Sequence, residues 1–170
     1  LQGTTDTTAV AEQKSYAHFT FNFGVAKGNI AGDGSLVLKL YYTRDKYTIK
    51  TNINNAKAGT ATQTDGTYKY GTEFTLNATI NAGYTFNGWY QGETLAIVKT
   101  EYKFIVEKDI TLTAQCEANT DTEYKVEYYW ENIDDDNYTL FETVNLQGTT
   151  DTTAVAEQKS YAHFTFNFGV

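Results

Sequence analysis

Residues 1 to 25, LQGTTDTTAVAEQKSYAHFTFNFGV, return without a change as residues 146 to 170. An internal repeat is read first, because overlooking one misassigns the whole architecture. The offset is 145 residues, so the chain is one period of a tandem array plus a 25-residue overlap. Identity extends to polar positions that packing leaves free to vary. It therefore points to recent duplication or homogenised repeats, since fold-level pseudo-symmetry alone would not preserve every surface residue.

Within that period the residue types are those of a pleated, half-buried surface. The chain holds 14 Tyr, 10 Phe and 29 Thr and no Met, which predicts an all-β fold with at most one short helix per period. Period-two alternation locates the strands. Tyr124, Val126, Tyr128 and Trp130 alternate with Lys125, Glu127 and Tyr129. Ser35 to Thr43 turns Leu36, Leu38, Leu40 and Tyr42 inward, and Tyr47, Ile49, Thr51 and Ile53 alternate with Thr48, Lys50 and Asn52. Phe74, Leu76, Ala78 and Ile80, and Ile110, Leu112, Ala114 and Cys116, repeat the pattern. Thr7 to Ser15 is ambiguous between a short helix and an extended strand, with the helix the lesser reading.

With no Pro in the chain, turns fall to Gly, Asn and Asp: Gly32-Asp-Gly34, Asp65-Gly66, Asn81-Ala-Gly83, Asn87-Gly88 and Gln91-Gly92. A polar stretch, Ala118 to Thr122, reads as a linker. Three segments follow: residues 50–119 as one unit, 1–49 as the closing part of a second unit, and 120–170 as the opening part of its next copy. Each whole unit is small for an independent core, about 70 to 75 residues, and gains from neighbours as repeat arrays do.

Charge and cysteine usage exclude several classes. A net charge of −8 repels phosphate backbones and anionic headgroups, so no nucleic-acid partner is expected. The single cysteine, Cys116, cannot form an intrachain disulfide and falls on an inward strand position, where a small buried apolar side chain is expected. No apolar run reaches the ~18 residues of a membrane span, and any secretion signal or anchor is expected outside this sequence.

The run from Gly66 through Gly83-Tyr-Thr-Phe-Asn-Gly-Trp-Tyr90 to Asp109-Ile-Thr-Leu-Thr-Ala114 resembles the divergent internalin B-repeat family of bacterial surface proteins, over residues 47–118. Gln115-Cys116 departs from it, where an aromatic usually follows the closing strand. The split unit, 123–170 with 1–49, is similar to mucin-binding-protein repeats of Gram-positive adhesins through Tyr124-Lys-Val-Glu-Tyr-Tyr129 and Leu38-Lys-Leu-Tyr-Tyr-Thr43. Together these resemblances imply two small β-grasp-like or β-sandwich-like domains in tandem, extracellular at a bacterial cell surface. They imply no catalytic residues, and surface repeats of this kind can carry Lys-to-Asn isopeptide crosslinks, for which no pair is nominated here.

No catalytic, cofactor-binding or metal-binding residue is assigned. Gly83 and Gly88 are expected to permit tight turns, with Tyr84, Phe86 and Trp89 filling the core; an exposed Trp89, Tyr90 and Trp130 would instead form a glycan platform. Ile133-Asp-Asp-Asp-Asn137 reads as a solvated hairpin loop, since a calcium loop of the EF-hand type needs spaced acids, a central Gly and a terminal Glu. Calcium at Asp134 and Asp136 would need a carboxylate from a neighbouring unit, and Asp33 reads as turn chemistry. His18 and His163 are one repeat position, expected on the wet face opposite Phe19, Phe21 and Phe23. Asn77 and Asn137 satisfy the glycosylation triplet incidentally.

The expected function is thus a non-catalytic structural segment of a surface fibre or stalk, with no cofactor. Its expected partners are neighbouring copies of the same repeat, head to tail, and the alternative is an adhesin module that binds glycan or a host surface protein. A half-unit alone leaves strand edges and apolar faces open, so each terminal half is expected to be completed by another copy. If the chain is a window on a continuous fibre, residues 146–170 should adopt the conformation of 1–25.

Overall fold

The computed structural model describes residues 3–62 and 65–167. It is all-β, with no helix among the described residues. In chain order the strands are β1 (Thr8–Val10), β2 (Phe19–Val25), β3 (Lys27–Asn29), β4 (Lys39–Arg44), β5 (Lys46–Ile53), β6 (Gly59–Ala61) and β7 (Gly66–Lys69). There follow β8 (Glu73–Ile80), β9 (Tyr84–Gln91), β10 (Thr94–Ile97), β11 (Glu101–Ile105), β12 (Ile110–Ala118), β13 (Thr122–Glu131) and β14 (Tyr138–Gly148).

The middle of the chain holds the core. A five-stranded sheet, ordered β10-β9-β12-β5-β7, faces a three-stranded one, β11-β8-β6. The pairing of β12 with β5 is parallel, so it needs a long crossover, and the three-stranded sheet lies within that connection. Ile49, Leu112 and Ala114 from the larger sheet meet Phe74, Leu76 and Ala78 from the smaller one, with Trp89 and Val106 among them. All but Val106, which follows the end of β11, belong to strands. Asn54 seals the end of β5: its amide exchanges hydrogen bonds with the Cys116 main chain, at 2.9 Å each way. Cys116 is buried, and burial pushes its thiol pKa up.

One turn and one strand assignment need correction. Asn87-Gly88 lies inside β9 and is not a hairpin turn; it faces the register shift between Gln115 and Cys116. Gly88 takes φ 134°, and a Cβ there would crowd Leu95 and the Ile97 carbonyl, so its glycine serves a bulge. Ser35 to Leu38 is not strand either. The β2·β4 ladder ends at Val25↔Lys39, because the chain beyond Val25 turns to pair β3 with β1. Leu36 and Leu38 still point inward, packed where a Cβ on Gly28 would lie. The ambiguous Thr7 to Ser15 segment is extended, as β1 and an irregular stretch.

The two copies of the 25-residue segment share their turns. Asp6 and Asp151 take φ 64° and 62°, and His18 and His163 take 65° and 70°. The Thr7 and Thr152 amides bond the carbonyls of Thr4 and Thr149, and the Phe19 and Phe164 amides bond those of Tyr16 and Tyr161. Their strands differ. In the first copy β1 pairs β3 and β2 pairs β4, whereas residues 153–160 and 164–167 of the second form no strand. Equal conformation is therefore corrected: turns close on contacts within the segment, whereas the ladders of the first copy are made with Lys27–Asn29 and Lys39–Arg44. Residues 1–2 and 168–170 lie outside the described residues.

Candidate functional site

Trp89 is fully buried and donates its indole N–H to the Thr100 carbonyl at 3.1 Å. Tyr90 is half-buried, and Trp130 packs against Phe141 and Phe164 with ring centroids 3.4 and 4.6 Å apart. The three rings therefore form no common exposed platform. The acidic loop between β13 and β14 bonds to itself: Asp135 accepts from the Asn132 side chain and the Asn137 amide, which holds its carboxyl below the usual range. Among the described residues no group of three or more His, Cys, Asp or Glu is placed to share a metal ion. The concavities are open depressions, such as that lined by Thr85, Glu117, Asn119 and Asp121.

Chemistry-bearing contacts concentrate instead where the repeated segment meets the central sandwich. At the first joint, His18 sits at a left-handed position just before β2, so it leaves the strand alternation. This corrects its expected place on the wet face. The ring stacks on Tyr70 at 4.1 Å and 7°, and Nδ1 lies 2.8 Å from the Tyr47 hydroxyl. Main-chain bonds from Asp45 N to His18 O and from Tyr70 N to Asp45 O lock the same corner. Arg44 lies over Phe19 at 5.1 Å and donates to the Tyr70 carbonyl. Burial, then the charge of Asp45, raises the Tyr47 pKa.

At the second joint, the turn at 149–152 docks on the start of β9. Tyr84 donates its hydroxyl hydrogen to Asp151, and Lys57 pairs with the same carboxylate at 3.4 Å. Thr150 N donates to Asn119 O at 2.9 Å, while Asn119 N donates to Gly83 O. The stretch expected to be a linker is thus a hydrogen-bonded corner. The Tyr84 bond and the Lys57 charge hold the Asp151 carboxyl below its ordinary pKa, and the same bond raises that of Tyr84.

A third cluster lies on the terminal hairpin. Lys159 Nζ and Tyr161 Oη reach Glu142 at 2.6 and 2.9 Å, and Tyr128 donates to the Glu157 carbonyl. Lys159, then Tyr161, lowers the Glu142 pKa. None of these three clusters was legible in the sequence, since each joins residues far apart in the chain. The left-handed conformations at Asp151 and His18 were the only local signal, and Asp and His give it weakly.

The residues that build the sandwich can be compared with known families. Residues 49–120 match the family model of the Divergent InlB B-repeat domain. No curated protein and no solved structure matches the chain. The B-repeat match begins inside β5 and ends one residue after the Asn119 corner.

Depressed carboxylates stabilise only while ionised, so their contribution is present above the unfolded pKa and is lost as pH falls through the folded one. Acid should therefore loosen the second joint before the sandwich core. In a 1H–15N titration the Thr150 amide should shift as Asp151 protonates while Leu112 stays still. Asp151→Asn, which keeps the left-handed tolerance and removes the charge, should abolish the Thr150 transition; an unchanged transition would show that Asp151 does not govern the joint.

Proposed function

We propose that the chain is a structural, non-catalytic tandem-repeat segment of an extracellular fibre or stalk on a bacterial surface. Its role is to space and project other domains, with neighbouring copies of the same period as partners. The observation that carries the reading is the B-repeat match inside an exact 145-residue period whose corners are hydrogen-bonded at both ends of the matched segment. Corners tied in this way resist bending, which favours a spacer over a flexible tether. The likeness of the split unit to mucin-binding repeats belongs to the same reading, as kinship among surface modules.

An adhesin reading needs a binding face, and the burial of Trp89 removes the central ring of the one the sequence offered. A glycan array probed with the full chain is expected to stay at background. A specific glycan signal that disappears in Tyr90→Ala would overturn the spacer reading in favour of adhesion.

A further inference from the structure

The sandwich has four outer strands, and β11 is the one most open to further pairing. β6 is three residues long, β7 is four, and β10 breaks its register between Leu95 and Ile97. β11 runs over five residues, Glu101–Ile105, in unbroken register with β8. Very short strands and bulges protect a sheet edge, and β11 has neither device. Ala78 N donates to Thr100 O, and Val106 N donates to Thr72 O. Antiparallel bonding alternates along a strand, so Tyr102 and Phe104 also face β8, while Glu101, Lys103 and Ile105 turn their main chain outward. Among the described residues nothing bonds those outward groups. Beside them Tyr102, Phe104, Ile105 and Ile110, with Glu107 and Lys108, line a mainly apolar depression, and Ile105 is 55% exposed.

We propose that the outer edge of β11 pairs with β11 of a second copy of this chain, antiparallel about a two-fold axis at Tyr102. Charge selects both the occupant and the register. Main-chain bonding requires outward residues to meet outward residues, which leaves three central registers. An axis at Lys103 opposes two lysines, and an axis at Phe104 sets Glu101 against Glu107. An axis at Tyr102 sets Glu101 of each copy against Lys103 of the other, so the edge supplies two opposite-charge pairs to itself. Glu101 and Lys103 already lie on one face of the strand, 3.2 Å apart and exposed, within reach of an added neighbour. The added strand also covers apolar surface at the depression. This contact is lateral, and it is separate from the head-to-tail partnership of the spacer reading. One five-residue edge makes a small interface, so single chains pair weakly. Tandem copies align many such edges and multiply the effect.

Amide hydrogen exchange of the full chain at rising concentration reads the contact directly. The Lys103 amide is unbonded in the single chain, so its exchange should slow as concentration rises. The Val106 amide, already bonded to Thr72 O, should change little. Sedimentation over the same range should show the average mass rising above the 19.1 kDa monomer. Lys103→Glu alone, or Glu101→Lys alone, leaves only like charges across the axis and should weaken association about ten-fold. An equimolar mixture of the two single variants restores both opposite-charge pairs and should associate as the unchanged chain does. Both side chains are exposed, so neither change touches the core. Association through any other face leaves Lys103 exchange independent of concentration. That result, or single variants that mixing does not rescue, would rule the pairing out.

Discussion

Trp89→Ala is expected to lower the stability of the sandwich by about 3–5 kcal/mol, the range for removing a large buried aromatic. Such a loss is a large part of the ~5–15 kcal/mol that holds an ordinary domain together. The side chain is wholly buried, meets Phe86 edge-on with centroids 6.2 Å apart, and packs with residues of both sheets. Alanine there leaves a cavity between the layers, and the Thr100 carbonyl loses the indole donor. Trp89→Phe keeps most of the apolar contact and removes the donor, so its cost should fall to about 1–3 kcal/mol. Urea unfolding followed by far-UV circular dichroism gives the ranking. Trp130→Ala provides the contrast, because that ring is only partly buried, on the two-stranded β13–β14 hairpin outside the sandwich; a midpoint for Trp89→Ala no lower than for Trp130→Ala would refute the assignment of Trp89 to the core.

Gly59→Ala should be the next most damaging single change, at about 2–4 kcal/mol from backbone strain and overpacking together. Gly59 takes φ 148° opposite Ile80 in the short β6·β8 ladder. A Cβ on it would overlap the Thr79 carbonyl oxygen and sit 3.0 Å from the Ile80 Cα, both main-chain atoms that no rotamer change can move. Relief therefore requires β6 to part from β8. That also disturbs fully buried Ala58, whose carbonyl accepts from Asn81 N at 2.8 Å. Gly92→Ala is the matching control: it too has positive φ, 59°, but its added methyl would meet open space. Its cost should be that of the left-handed conformation alone, about 1–2 kcal/mol. Equal unfolding midpoints for the two variants would mean that the close approach at Gly59 is not what restricts the position.

The strands of the sandwich could be read from the sequence because burial on one face writes a period of two into the chain. In β8, Phe74, Leu76 and Ala78 are buried between exposed neighbours, as their alternation requires. Asn87-Gly88 misled for a different reason. The pair has turn chemistry, yet its glycine is needed because a neighbouring strand slips register across it, and register is a property of two strands. His18 failed similarly: alternation placed it on the wet face, but a left-handed residue before β2 turns its ring onto Tyr70. The joints were wholly hidden. Asp151, Tyr84 and Lys57 are ordinary polar residues, and only their meeting makes a corner.

The repeated segment divides the two kinds of information within one stretch of chain. By itself the sequence determined the exact period, the all-β class and the inward faces of most strands, and it shapes locally the turns at Asp6 and His18, which strand alternation did not reveal. Those turns recur at Asp151 and His163 because their closing hydrogen bonds lie within the segment. Tertiary structure alone decided whether the same residues became strand. Residues 8–10 and 19–25 are ladder only where β3 and β4 stand beside them, and the identical 153–155 is not. A turn is stabilised by groups a few residues apart, whereas a strand is stabilised by hydrogen bonds to another strand, so identical sequence yields identical turns but strands only where a partner is present.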